Sequence, residues 1–166
     1  MPKIEPKIPS GFMELLPQEQ IVFNEMLNKI RAIYELFGFS PIETPALEYS
    51  EILLAKGGGD TEKEIFRFGK GDNDYVMHFD LTMPLARYVA QHQNELIFPF
   101  RRYQIQKVWR AERPQKGRFR EFFQCDADII GSDSGLADAE IASLIWTVFT
   151  ALGVPDFIIY INNRKI

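Results

Sequence analysis

Between Arg101 and Asp128 the chain reads RRYQIQKVWRAERPQKGRFREFFQCDAD, and the even-numbered positions of this stretch collect side chains able to bind an anion. In an extended strand, residues two apart point the same way. On that spacing Gln104, Gln106, Arg110 and Glu112 share one face of a first strand, and Arg118, Arg120, Phe122, Gln124, Asp126 and Asp128 share one face of a second. The odd positions, among them Tyr103, Ile105, Trp109, Phe119, Phe123, Cys125 and Ile129, are mostly apolar and are expected to form a core face. Residues 101 to 120 hold eight Lys or Arg against the single acid Glu112, a local +7 in a chain whose total is −4. Arg113, Lys116 and Arg118 lie in a loop broken by Pro114 and Gly117. Guanidinium and ammonium groups concentrated in this way suit a polyphosphate pocket, and the acidic remainder of the chain argues against a coat for nucleic acid. The same pattern also describes a solvated basic hairpin, since runs of charge usually face water.

The elements that must position this hairpin follow from periodicity. Val22, Met26, Ile30, Ile33 and Phe37 recur at helical spacing, so residues 18 to 37 are expected to form a long amphipathic helix ending at Gly38. Pro41 and Pro45 keep Phe39 to Tyr49 extended. A short helix is expected over Ser50 to Lys56, before Gly57-Gly58-Gly59, which read as a flexible turn or lid and not as a phosphate loop. Ile65 to Phe68 and Tyr75 to Leu81 flank Gly69-Lys-Gly-Asp-Asn, a hairpin signal. Thr82 is positioned to cap a helix running to His92. A second long helix is expected from Leu136 to Leu152, with Ile141, Leu144, Ile145, Val148 and Leu152 inward, followed by a buried strand over Phe157 to Ile161. Strands in hairpins with helices at both ends predict an α+β fold, an antiparallel β-sheet flanked by helices.

Composition bounds the rest. The chain has 166 residues, 46% of them hydrophobic and 13% aromatic, enough for one domain with a sizeable core. The single Cys125 excludes an internal disulfide, and with only His78 and His92 beside it no metal site is expected. No run of about 18 apolar residues spans a membrane, and the opening MPKIEPKIPSG has no signal-peptide core. A soluble, untargeted, cytoplasmic chain is the expectation. Its end at Asn162-Asn-Arg-Lys-Ile166, directly after an expected buried strand, reads equally as a natural terminus or as the edge of a longer protein.

With these residues in place, the chain resembles the N-terminal part of the catalytic domain of a class II aminoacyl-tRNA synthetase, specifically histidyl-tRNA synthetase. The likeness covers essentially all of residues 1 to 166 as a partial class II catalytic core. Gly11-Phe12-Met13 resembles the opening of that domain. Gly38-Phe39 through Thr44-Pro45 resembles the first class II motif, whose proline helps to build a dimer interface. Asp80-Leu81-Thr82 with Pro84-Leu85-Ala86-Arg87-Tyr88 resembles the substrate-binding segment. Val108 to Arg118 resembles the second class II motif in its histidine-specific form, and this long match is the specific one. The third motif and the anticodon-binding domain fall outside the 166 residues. His78 departs from the family, where an arginine is common.

The resemblance implies adenylation of L-histidine by ATP with Mg2+, followed by transfer to tRNA(His) by a homodimer joined near Pro45. Arg110 would be the catalytic residue, holding the α-phosphate of ATP and the histidine carboxylate. Glu112 would orient adenine or the loop, Arg118 would engage the distal phosphates, and Phe122 would stack on adenine. Gln124 and Asp128 would recognise the imidazole and amino group, with Asp80 and Thr82 completing the amino-group site. Each residue also has a structural reading: Arg110 with Glu112 as an ion pair, Phe122 as core, Asp80 and Thr82 as a loop and cap. Two other functions share the fold, a synthetase-like regulatory subunit of histidine biosynthesis and a tRNA-binding synthetase-like module. Complete aminoacylation by these 166 residues alone is not expected, and an exposed sheet edge predicts self-association.

Overall fold

A computed structural model describes residues 4–54 and 64–162. The triple glycine Gly57–Gly59 lies outside the described residues, as do Lys56 and the last four residues of the chain. The element order is α1 (Pro17–Leu36), β1 (Ser40–Pro41), β2 (Leu47–Tyr49), α2 (Ser50–Leu53), β3 (Arg67–Lys70), β4 (Asn73–Met77), α3 (Thr82–His92), β5 (Phe100–Trp109), β6 (Glu121–Ile130) and α4 (Gly135–Ala151). The α+β class is therefore as expected. One three-stranded sheet runs β1-β5-β6 and the other β2-β4-β3. β4 pairs antiparallel with β2 and with β3, whereas β1 pairs parallel with β5, Ser40 opposite Arg102 and Pro41 opposite Tyr103. A parallel pair between strands so far apart in sequence is beyond the reach of hairpin signals.

The described residues form two compact units, each with its own buried core. The first draws on the segments Met1–Leu16, Glu43–Leu96 and Gln104–Gln124. Its core holds Leu53, Val76, Leu81, Leu85 and Val108, with Thr44, Glu48, His78 and Gln104 buried among them. The β3–β4 hairpin closes more tightly than the sequence suggests. Lys70 pairs with Asn73, leaving Gly71-Asp72 as a two-residue turn with Gly71 at φ 61°. The start of α3 corrects the expected cap, because Thr82 is already helical. The Asp80 Oδ1 accepts from the backbone N–H groups of Thr82 (3.2 Å) and Met83 (3.3 Å), so the carboxylate two residues upstream satisfies the free amides.

The second unit comprises the segments Pro17–Ile42, Ile97–Tyr103 and Cys125–Ile166. α1 and α4 pack together here around Ile30, Ile33, Tyr34, Phe39, Tyr103, Leu144 and Val148. α1 ends as its sequence predicts. Gly38 takes φ 78°, its N–H reaches Glu35 O at 2.9 Å and the Phe39 N–H reaches Tyr34 O at 3.0 Å. α4 opens on Ser134, whose side chain accepts from the Leu136 N–H. Only part of each predicted apolar stripe is covered, since Val22 and Met26 of α1 and Ile145 of α4 stay exposed.

The predicted last strand is not formed. Residues 157 to 161 have no regular structure, and Ile158, Tyr160 and Ile161 are 74%, 88% and 81% exposed. Phe157 docks, its ring 4.9 Å from that of Trp146 and 5.1 Å from that of Phe149. A β-branched and aromatic run supplies propensity, but a strand needs a neighbour for its backbone groups. Among the described residues no strand pairs with it.

Candidate active site

The expected division of the hairpin into an odd core face and an even ligand face needs correction along β5. Arg102, Gln104 and Val108, all even, are fully buried, while Lys107 on the odd side is exposed. The two glutamines are engaged internally. Gln104 Nε2 donates to Thr44 Oγ1 (2.9 Å) and to Gln106 Oε1 (2.6 Å), and Gln106 Nε2 donates to the Thr44 carbonyl (2.7 Å). Buried amides must find partners; here they tie β5 to the segment preceding β2. Lys107 and Trp109 share one acid, Glu121: Lys107 Nζ reaches Oε1 at 2.7 Å and Trp109 Nε1 donates to Oε2 at 2.8 Å. His78 is wholly buried beneath Trp109, its Nε2 2.7 Å from the Lys107 carbonyl oxygen, which is a structural role.

Past Trp109 the even residues do open onto a cavity. The backbone holds together through the Arg110 N–H to Arg120 O (2.8 Å) and the Ala111 N–H to Glu64 O (2.7 Å). The loop tip is closed by two hydrogen bonds between Gln115 and Arg118, with Gly117 at φ 78°. Arg120, expected on the ligand face, is used as a brace. Its Nε donates to the Glu112 carbonyl (2.9 Å), its Nη1 to the Ser10 carbonyl (3.2 Å), and its N–H to the Gly11 carbonyl (2.7 Å).

Arg110, Glu112, Gly117, Arg118, Phe119 and Phe122 line a cavity of about 250 Å³. The Arg110 Nε donates to the Phe79 carbonyl at 3.0 Å, and its guanidinium carbon lies 5.1 Å from the centre of the Phe122 ring. Glu112 pairs with Arg118, Nη1 to Oε2 at 3.0 Å; the Arg118 side chain is 63% exposed and that of Glu112 16%. Among the described residues the cavity thus has two cations, one already neutralised by a carboxylate, and two aromatic rings. Such a surface can take a planar ring beside Phe122 and anionic oxygens at the guanidinium edges.

Four of the sequence-predicted residues, Arg110, Glu112, Arg118 and Phe122, are therefore brought together. Gln124 follows two residues after Phe122 on β6 and is half-buried in the same unit, as Asp80 is at the head of α3; Thr82 is exposed there. Asp128 belongs to the other unit, where its carboxylate meets Arg102, Nη2 to Oδ2 at 2.5 Å. Sequence reasoning missed Phe119 as a lining residue because its odd parity placed it in the core. It also missed Arg102, although its even number put it on the face of Asp126 and Asp128.

The family model for histidyl-tRNA synthetase matches residues 11–166. The chain belongs to the histidyl-tRNA synthetase family. The histidine–tRNA ligase of Clostridium tetani is 62% identical over 165 residues, an alignment covering 98% of this chain and 38% of that protein. The crystal structure of histidyl-tRNA synthetase from Nostoc sp. PCC 7120 superposes with a TM-score of 0.84 at 44% identity, over 96% of this chain and 37% of the other. A Bacillus halodurans protein described as an ATP phosphoribosyltransferase regulatory subunit/histidyl-tRNA synthetase superposes with a TM-score of 0.80 at 26% identity, over 90% and 39% of the two chains. The chain spans under two fifths of the length of these histidyl-tRNA synthetase relatives.

Proposed function

We propose that the chain is the N-terminal, motif 1 and motif 2 part of a catalytic domain that activates L-histidine with ATP and passes it to tRNA(His). The observation that carries this reading is the convergence of Arg110, Glu112, Arg118 and Phe122 on one cavity. In the reaction, a carboxylate oxygen of histidine attacks the α-phosphorus of ATP, the bond to pyrophosphate breaks, and the acyl group of histidyl-adenylate then moves to the 3′-terminal ribose of tRNA, releasing AMP. Arg110 draws the two anionic reactants together and offsets the charge that grows on phosphorus, a task for a pre-oriented planar fork. Phe122 takes the adenine ring, Glu112 orients it or the loop, and Arg118 swings from Glu112 to the distal phosphates. Asp80, Thr82, Gln124 and Asp128 are assigned to histidine from the family pattern, carboxylates and an amide being suitable acceptors for ammonium and imidazole N–H groups.

Mg2+ screens phosphate charge when it accompanies ATP. Among the described residues Glu112 is the carboxylate that lines the cavity, and it already faces Arg118; the ion would be held mainly by the phosphates themselves. The working form is inferred to be a cytoplasmic homodimer joined through the segment around Pro45; no described helix is long and apolar enough to cross a membrane. The regulatory-subunit reading is less favoured, because it does not require Arg110, Glu112, Lys116 and Arg118 together.

Calorimetric titration with a non-hydrolysable histidyl-adenylate analogue tests the proposal. Saturable binding that is lost in Arg110→Ala is expected. A folded protein that binds tRNA but no adenylate would favour the tRNA-binding module instead, and its affinity would fall steeply with salt.

A further inference from the structure

Within the second unit, Asp128 does not stand alone on β6. Arg102 lies on β5, with its backbone opposite Ser40 of β1, and its side chain is 1% exposed. Its Nη2 meets the Asp128 Oδ2 at 2.5 Å, while the Asp128 side chain keeps 43% of its surface accessible. The pair is therefore lopsided, a buried anchor holding one oxygen of an accessible carboxylate. Asp126 acts on the same guanidinium: burial pushes the Arg102 pKa down, and Asp128, then Asp126, then Tyr34 push it back up. Beneath them the Tyr34 hydroxyl donates to the Cys125 carbonyl at 2.8 Å, fixing the strand that carries both acids.

Two carboxylates on alternate residues of one strand share a face and repel each other. A buried arginine beside them does two things. It offsets that repulsion, and it fixes the carboxylate's orientation while leaving acceptor capacity on its accessible side. We infer that Arg102 is a positioning residue for histidine specificity, acting through Asp128 and not by touching the ligand. The inference rests on the assignment of Asp128 to histidine made above and deepens it. Arg102→Lys would keep the charge and lose the planar fork; Arg102→Met would lose both.

The intact protein and its Arg102→Lys, Arg102→Met, Asp128→Asn and Arg102→Met/Asp128→Asn variants are titrated calorimetrically with L-histidine and, separately, with ATP. Arg102→Met is expected to weaken histidine binding about tenfold or more and Arg102→Lys less, with ATP binding changed by less than about twofold. The double variant should bind histidine no more weakly than Asp128→Asn alone, because contacts made through one shared group are not additive. Should Arg102→Met fail to fold, Arg102→Lys and Asp128→Asn carry the comparison. Additive losses, or equal losses for histidine and ATP, would overturn the positioning role and leave the synthetase reading standing. An Asp128→Asn variant with undiminished histidine affinity would overturn the assignment of Asp128 and this inference with it.

Discussion

The guanidinium of Arg110 lies 5.1 Å from the centre of the Phe122 ring while its Nε donates to the Phe79 carbonyl at 3.0 Å. The two contacts hold the side chain from the ring side and through its Nε–H. Arg110→Lys keeps the charge but neither restraint, and adenylate-analogue affinity is expected to fall by at least about tenfold. Phe122→Leu keeps an apolar side chain but removes the stacking surface, a loss of about 1–3 kcal/mol by the usual worth of an aromatic under a base. Calorimetry with the analogue reads both. Undiminished affinity in Phe122→Leu would return that ring to a packing role.

The turn at Gly11 braces the same loop. A Cβ there would lie 2.9 Å from Arg120 Cδ and 3.1 Å from Pro114 Cγ, at a backbone φ of 86°. Gly11→Ala therefore combines a left-handed backbone with a clash against the residue that donates to the Glu112 carbonyl. It is expected to cost about 1–3 kcal/mol. Gly71→Ala is the control, with φ 61° and nothing within 4 Å, and should lose only the backbone share, about 1–2 kcal/mol. Urea unfolding of the two variants separates crowding from strain; equal losses would mean that Arg120 moves aside freely.

The second site of strong coupling is an ion pair between α3 and β2. Arg87 Nε donates at 2.9 Å to both carboxylate oxygens of Glu48, which is 5% exposed, and its Nη1 donates to Gln91 Oε1 at 3.0 Å. Arg87→Met leaves Glu48 buried without its cation, a change expected to cost about 3–5 kcal/mol. Adding Glu48→Gln to Arg87→Met should recover part of that loss, because the stranded charge is what costs most. Urea midpoints for the two single variants and the double variant would check this, and a double variant less stable than either single one would contradict it.

These contacts mark how far the sequence could be read. Alternation placed Arg110, Glu112, Arg118 and Phe122 on one face, and it held because the residues flanking the loop remain paired, Arg110 to Arg120. Alternation alone does not say which face becomes covered. Gln104 and Gln106 looked like ligand-facing amides, yet they bond Thr44 because another segment lies over them. The α3 cap was placed two residues late, since a hydroxyl at Thr82 and a carboxylate at Asp80 are both cap-type residues and only geometry chooses between them. Phe157 to Ile161 had strand propensity without a partner, and pairing cannot be inferred from a single segment. Arg102 was legible in principle: an even-numbered arginine on the face of two aspartates, passed over because buried charge is the rarer outcome.

Cys125 is the single thiol of the chain. Burial, then the nearby Asp126, pushes its thiol from an ordinary 9.0 up to about 11. The thiolate is the nucleophile, so at pH 8 iodoacetamide should modify the native chain far more slowly than the chain in denaturant, followed by mass spectrometry. A pKa raised on folding means that the native state holds the proton more tightly, so this contribution is fully present below about pH 9 and is lost as pH rises through about 11. Tyr34, also raised by burial, adds a loss of the same sign at still higher pH. Urea midpoints measured from pH 8 to 11 should therefore fall more steeply for the native chain than for Cys125→Ala, which retains the tyrosine contribution but has no thiol. Parallel slopes for the two proteins would mean that Cys125 ionises without cost, and rapid alkylation of the native chain at pH 8 should then accompany them.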